Sequence, residues 1–372
     1  MRYYIIAGEA SGDLHGSNLI KQLNRTDDQA EIRAWGGDLM RDAGARVVKH
    51  YRDLAFMGFS EVLMNLKTIL GNLSFCKSDI KSFNPDAIVL IDYPGFNLRI
   101  AKWAHESGYK VLYYISPQIW AWKQSRVKQI KAYVDEMYVI LPFEKDFYKK
   151  FGVDVHYVGH PLIDAIEEYK SRALSHSEFR EKNSLGHRPI IALLPGSRKQ
   201  EIATMLPIMM GAIDQVGDFE VLIAGAPSQE EDFYRQILKD SEVKILFDRT
   251  YEILTHAHAA LVTSGTATLE TAIFRIPQVV CYKGGLISYL IARALVKVKY
   301  ISLVNLIMDK MVVKELIQNE MSVQNLRREL DKIINDRTYR EKMHADYDQL
   351  YKKLGGTGAS SVAANLMFKT LQ

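Results

Sequence analysis

Short runs of β-branched, aromatic and aliphatic residues alternate along the chain with longer stretches in which apolar positions recur every three or four residues. Residues 3–7, 32–35, 87–91, 110–115, 137–140 and 155–158 read as strands in the first half. Residues 190–194, 220–224, 244–247, 260–262 and 278–281 read as strands in the second. Helix-length segments between most of them predict βαβ units and parallel sheets. The second series restarts at Arg188-Pro189 after a polar, charged stretch over 167–187, which puts a boundary near Gly159-His160-Pro161. Pro161 suits a rigid turn there. The expected architecture is α/β: two doubly wound, Rossmann-like domains over 1–162 and 163–345, facing each other across a cleft, and a helical tail over 346–372. Ligands of open α/β sheets sit beyond the carboxyl ends of the strands, so strand-end residues are the candidates for chemistry.

Composition narrows the class. The 372 residues are 48% hydrophobic and 25% charged, too apolar for disorder and long enough for two cores. The 48 basic and 44 acidic residues leave +4, too little to argue for a nucleic-acid partner. Cys76 and Cys281 each lie in an apolar run and read as buried thiols, giving neither a disulfide framework nor a zinc site. The apolar run after Met1 is short and reads as a strand rather than a signal peptide. The stretch 286–298, interrupted by Arg293 and Lys297, is shorter than the ~20 residues of a spanning helix. A cytoplasmic protein is expected, in contact with a membrane surface at most.

Four strand ends carry candidate chemistry. The first runs into Gly8-Glu9-Ala10-Ser11-Gly12-Asp13 and then a helical pattern. Such a loop offers free backbone N–H groups to phosphate or sugar hydroxyls, or is a tight βα turn with Asp13 as N-cap. Its glycine spacing is not that of a dinucleotide site. Glu9 stands at the strand end in either case. Asp92 directly follows the apolar run 88–91, where its carboxylate is either a general base on a hydroxyl or a cap of the turn before Pro94-Gly95. In the second half, Leu194-Pro195-Gly196-Ser197-Arg198 ends a strand in a glycine turn. Arg198 can take a diphosphate bidentately or pair with Glu201. The fourth, Ser264-Gly265-Thr266-Ala267-Thr268-Leu269-Glu270, reads as an anion site at a helix start or as a capping box ending at Glu270.

Other features are less specific. Trp120 and Trp122, beside Lys123 and Arg126, suit sugar stacking, a lipid interface or a core edge. Phe59, Val62, Leu63, Leu66, Ile69 and Leu70 recur at helical spacing, ordinarily the mark of core packing. The segment 283–299 mixes apolar residues with Arg293, Lys297 and Lys299, as interfacial helices do. His256-Ala257-His258 lacks a third ligand, and Asp346-Tyr347-Asp348 falls in what reads as a solvated tail helix, so no metal site is expected.

The glycine loop at 8–13, Ser116-Pro117 with Trp120-Ala121-Trp122, Leu141-Pro142-Phe143-Glu144, Val158-Gly159-His160-Pro161, the 194–198 turn and the 264–270 loop together resemble, in order, the lipid-A-disaccharide synthases. Those are glycosyltransferases of Gram-negative lipid A biosynthesis. Residues 300–305 and Glu315-Leu316-Ile317-Gln318 are similar to the family's nucleotide-binding segment. Gly95 stands where the family often has an acid, and Val304 where it usually has proline. The resemblance implies a GT-B fold, no metal and no cofactor. It implies inverting transfer from UDP-2,3-diacylglucosamine to 2,3-diacylglucosamine 1-phosphate, giving a β-1,6 disaccharide and UDP. By the same resemblance Asp92 is the base, with Glu9 orienting the acceptor or sharing that role, and Ser11, Gly12 and Asp13 form an acceptor loop. UDP falls to Gly196, Ser197, Arg198, Ser264, Gly265, Thr266, Ala267, Thr268 and Glu270, and its ribose to Asn305, Glu315 and Gln318. Acylated substrates turn the 59–70 stripe into an acyl or membrane contact on the inner-membrane surface. The tail is expected to return to the first domain, with exchange between protomers of a homodimer open. Same-fold alternatives are a UDP-sugar epimerase or a peptidoglycan-type glucosaminyltransferase. An alternative of another class is a non-catalytic membrane-bound nucleotide-sugar sensor, to which Glu9 and Asp92 would be dispensable.

Overall fold

The computed structural model describes residues 1–54, 66–214, 218–239, 241–285 and 298–372, and for Leu54, Leu66 and Lys67 the backbone alone. The chain divides into two compact units, Met1–Ala165 with Leu354–Gln372, and Ile166–Lys353.

The first unit is built on a parallel sheet ordered β3-β2-β1-β4-β5-β6-β7. Its strands are β1 (Arg2–Ala7), β2 (Glu31–Gly36), β3 (Arg46–His50), β4 (Ala87–Ile91), β5 (Lys110–Tyr114), β6 (Glu136–Val139) and β7 (His156–Tyr157). The second unit has a parallel sheet ordered β10-β9-β8-β11-β12-β13. Its strands are β8 (Ile190–Leu194), β9 (Glu220–Gly225), β10 (Lys244–Phe247), β11 (Ala259–Thr263), β12 (Gln278–Tyr282) and β13 (Lys314–Ile317). Central strands such as Ala87–Ile91 and Ile190–Leu194 are buried throughout, which is why their sequences are unbroken apolar runs. The sequence pattern misses β3 and β13. Both are edge strands, half-exposed, and interleave charged residues with apolar ones (Arg46, Lys49, Lys314 and Glu315).

Strand order fixes where chemistry can sit. In the first sheet the direction of winding reverses between β1 and β4, and in the second between β8 and β11; ligands of doubly wound sheets bind at such switch points. Ala7 pairs with Ile91 across the first switch, and Leu194 with Val262 across the second. One residue further on, Gly8 lies alongside Asp92. Two of the four candidate loops flank each switch. The helix Ala10–Thr26 packs on the last helix, Ala359–Leu371, in the first unit, and Asp164 accepts hydrogen bonds from the Gly358 and Ser360 N–H groups at 2.6 and 3.0 Å. The part of the chain that rejoins the first unit begins at Leu354, whereas Asp346–Lys353 end a long helix, Arg337–Lys353, of the second. The solvated-tail reading of Asp346 is therefore corrected: its carboxylate is buried and meets Lys310 Nζ at 2.6 Å.

Candidate functional site

At the first switch, β4 ends in two successive non-glycine residues in the left-handed region, Asp92 (φ 42°) and Tyr93 (φ 47°). Each costs on the order of 1–2 kcal/mol, so the surroundings must hold them. They do so by hydrogen bonds. Tyr113 Oη and Asn97 Nδ2 donate to the Asp92 carbonyl at 2.6 and 2.8 Å, and Asn97 also donates to the Ile91 carbonyl at 3.1 Å. Asn97 is fully buried. Gly8 completes the arrangement, because a Cβ there would lie 2.4 Å from the Tyr93 ring. The turn leaves the Asp92 carboxyl half-buried. Its pKa is pushed up to about 7, by desolvation first and then by the Glu9 carboxylate, with a hydrogen bond from the Tyr93 N–H opposing. A carboxyl in that range can accept a proton near neutral pH.

Glu9 is exposed and opens the helix Ala10–Thr26 without making a side-chain cap. Ser11 is exposed, and Gly12 packs so close to Ala7 that a Cβ would stand 3.0 Å from the alanine methyl. Asp13 requires a correction. It does not cap its own helix: its buried carboxylate accepts the N–H groups of Gly37, Leu39 and Met40 at 2.7, 3.2 and 3.1 Å. It caps the short helix Asp38–Asp42 from across the unit. Tyr93, Asn97 and Tyr113, which hold Asp92, escaped the sequence reading. The one signal was Asn97, a polar residue amid the apolar Phe96, Leu98 and Ile100.

At the second switch, a cavity of about 490 Å³ is lined by Gly196, Ser197 and Arg198 from the β8 turn. Ser264, Gly265, Thr266, Ala267 and Glu270 from the β11 loop complete the opposite wall. Arg198 is 70% exposed, lines this cavity and pairs with Glu201 at 3.6 Å, as the second of its two readings expected. The Glu201 carboxylate also takes the Ser197 and Arg198 N–H groups at 3.4 and 3.3 Å, and a Cβ at Gly196 (φ 110°) would stand 2.8 Å from it. The capping-box alternative for the 264–270 loop fails: Gly265 is the N-cap of the helix Thr266–Ile273, and no side chain caps it. Ser264 and Thr268 are occupied, since Ser264 Oγ donates to the Ile301 carbonyl at 3.1 Å and buried Thr268 Oγ1 to Gly265 at 2.8 Å. The helix start thus presents backbone amides and the exposed Thr266 side chain. Glu270 is raised by desolvation and accepts from Tyr251 Oη at 3.2 Å. Ala224–Pro227, Thr250 and Tyr282 also line the cavity and were missed, although Gly225-Ala226-Pro227 is one more glycine turn at a strand end.

The ribose candidates do not join this cavity. Asn305 is buried, donates to the Val313 carbonyl and Glu315 at 2.8 Å each, and accepts from the Val312 and Val313 N–H groups. Glu315 takes the Ile301 and Ser302 N–H groups and Ser302 Oγ at 3.0, 2.9 and 2.8 Å. Both residues fasten the chain around the start of the helix Leu303–Met308. Gln318 is buried with φ 52°, and its Nε2 has no hydrogen-bond partner among the described residues.

The membrane candidates separate. Phe59, Val62 and Leu63 lie outside the described residues, as do the Leu66 side chain and 286–297 of the basic segment. Ile69 packs on the core of the first unit, against expectation, while Leu70 is 56% exposed. Trp120 is buried edge-on to Phe143, and Trp122 is exposed with Lys123 over its ring at 4.3 Å. Cys76 and Cys281 are free and buried. Among the described residues no group of three His, Cys, Asp or Glu is placed to hold a metal ion, and no helix is long and apolar enough to cross a membrane.

Comparison with solved structures shows the fold. The UDP-GlcNAc 2-epimerase of Neisseria meningitidis, bound to UDP-GlcNAc, has a TM-score of 0.70 at 12% identity, covering 99% of this chain and all of its own. The enzyme of the same name from Methanocaldococcus jannaschii gives 0.67 at 13%, covering 100% and 99%. The fold is GT-B type, two Rossmann-like units. Sequence is far more specific. A lipid-A-disaccharide synthase from Geobacter metallireducens is 36% identical over 376 residues, covering 100% of this chain and 97% of the relative. One from Coxiella burnetii is 37% identical over 373, covering 98% of each. The family model described as lipid-A-disaccharide synthetase matches residues 3–368. A match that takes in both switch points and every loop described above leaves one conclusion: the chain belongs to the lipid-A-disaccharide synthase family.

Proposed function

We infer that this chain joins UDP-2,3-diacylglucosamine to 2,3-diacylglucosamine 1-phosphate, releasing UDP and the β-1,6 disaccharide 1-phosphate. The observation that carries the mechanism is the Asp92 carboxyl, held at the β1/β4 switch and raised to about 7. The acceptor 6-hydroxyl passes its proton to Asp92 as its oxygen bonds to the donor's anomeric carbon. The bond from that carbon to the diphosphate oxygen breaks, and its electron pair leaves with UDP. Attack opposite the leaving group inverts an α-linked donor to a β product. Glu9 serves twice, keeping Asp92 basic and orienting the acceptor.

Negative charge growing on the diphosphate falls to the β8/β11 cavity. Arg198 supplies a cation whose exposed pairing with Glu201 is weak enough to exchange. The start of the helix Thr266–Ile273 supplies amide donors and the positive end of its dipole. Gln318, with an unpartnered amide nitrogen, is the ribose-side candidate best supported by its surroundings. Acylated substrates call for work at a membrane surface, with Leu70 as the described contact residue. The returning segment from Leu354 onward is where protomers of a dimer would exchange.

The test is incubation with both acylated substrates and mass spectrometry of the lipid products. Disaccharide 1-phosphate with stoichiometric UDP is expected. UDP release without a disaccharide, or epimerised donor, would overturn the assignment in favour of the epimerase reading.

A further inference from the structure

We propose that the first unit carries a phosphate-binding pocket beside Asp92, which seats the 1-phosphate of the acceptor and so directs its 6-hydroxyl to the base; this rests on the reaction inferred above. A cavity of about 540 Å³ opens where the first turn of the helix Pro94–Glu106 meets the segment 125–129. Four cations line it, Arg99, Lys102, Arg126 and Lys128, and no carboxylate does. Lys102 reaches Glu106 at 3.8 Å, but Arg99, Arg126 and Lys128 have no carboxylate partner among the described residues. Exposed cations normally spread out or pair with acids. Three unpaired ones converging on one concavity repel each other, a cost that a bound anion reverses.

The pocket's position says which anion. Pro94 and Gly95 form its rim, two and three residues after Asp92. At 3.8 Å per Cα step, Gly95 lies within about 11 Å of Asp92. A hexopyranose carries its anomeric substituent and its 6-hydroxymethyl group on the two carbons that flank the ring oxygen, so a 1-phosphate and the 6-hydroxyl of one sugar lie only a few ångströms apart, inside that bound. Arg126 is also close enough to influence the phenol of Tyr113, whose hydroxyl holds the Asp92 carbonyl at 2.6 Å. A phosphate monoester brings nearly two negative charges and three acceptor oxygens, suited to two guanidinium groups and a lysine.

The experiment compares the wild type with the Arg99→Gln/Arg126→Gln variant, after thermal melts confirm that both fold. Acceptor KM is measured with and without the 1-phosphate, alongside donor KM. The double variant should raise KM for the phosphorylated acceptor ~10–100-fold, the range for losing charged hydrogen bonds. The dephosphorylated acceptor should bind the two proteins equally, and donor KM should stay within about twofold, the scatter of a surface change. Equal losses on both acceptors, or a loss confined to the donor, would overturn the proposal. So would a variant whose only defect is weaker sedimentation with phosphatidylglycerol vesicles, which would make the cations a headgroup-attracting surface. A ³¹P NMR titration with glucosamine 1-phosphate separates this idea from the reaction it rests on. If the wild type makes no disaccharide but binds that sugar phosphate and the variant does not, the pocket stands and the reaction falls. No binding by the wild type removes the pocket.

Discussion

Asp92→Asn should abolish disaccharide formation and yet make the protein more stable at alkaline pH. The carboxyl is raised from an ordinary 3.8 to about 7. Its folded-state value lies above its unfolded one, so protonation favours the native state. The cost of the buried charge is absent below pH 4, builds between about 4 and 7, and is complete above. A three-unit shift corresponds to ~4 kcal/mol; partial exposure reduces this to about 2–4. Asparagine keeps the shape without the charge, so the gain is expected at pH 8.5 and should vanish near pH 4. For a unit of this size it amounts to roughly 4–15 °C in melting temperature. As the proposed base, the same group should set the acid limb of the reaction. About one-tenth of Asp92 is ionised at pH 6 and nine-tenths at pH 8, so kcat/KM should rise about tenfold between them. Glu9→Gln, which removes a charge that raises Asp92, should move that limb to lower pH. Assays are UDP release against pH and differential scanning calorimetry of wild type and variant at pH 4 and 8.5. A variant that melts at or below the wild type at pH 8.5 would refute the buried charge. A flat activity profile from pH 5.5 to 8.5 would refute the base.

Arg198→Ala should weaken UDP binding ~10–150-fold by calorimetry, the worth of a charged hydrogen bond; undiminished affinity would detach the arginine from the diphosphate. Gly8→Ala drives a methyl into the Tyr93 ring, 2.4 Å from the Cβ position, and should lower kcat while UDP affinity, measured on the other unit's cavity, stays unchanged. Wild-type turnover in that variant would show that the Asp92 turn tolerates movement. Leu70→Ser, at an exposed site, should leave the melting temperature within about 1 °C and reduce sedimentation with liposomes. Unchanged sedimentation would move the membrane contact away from Leu70.

What the sequence displayed and what it concealed divide along one physical line. A strand buried on both faces must be apolar at every position, so β1, β4, β8 and β11 are legible, and with them the loops at both switch points. Edge strands β3 and β13 have one side free for Arg46, Lys49 or Lys314, and the signal is diluted. Residue type at a strand end is legible too, which is why Glu9, Asp92 and Arg198, all beside a switch point, are legible as candidates. Which way a polar side chain turns depends on where another segment's orphan N–H groups lie, and no local pattern records that. Asp13 and Glu315 are the plain cases. Each is an acid with the look of a ligand, and each is taken up by backbone donors of a distant segment, the start of the helix Asp38–Asp42 for one, and Ile301 and Ser302 just before the helix Leu303–Met308 for the other. Asp92 differs because its turn is held mainly through its carbonyl, by Asn97 and Tyr113, while its carboxyl takes a single backbone donor, the adjacent Tyr93 N–H. An acid whose main chain does the structural work and whose side chain bears the desolvation is the arrangement a proton acceptor needs. That contrast with Asp13, not the acidic residue itself, is the ground for proposing Asp92 as the base.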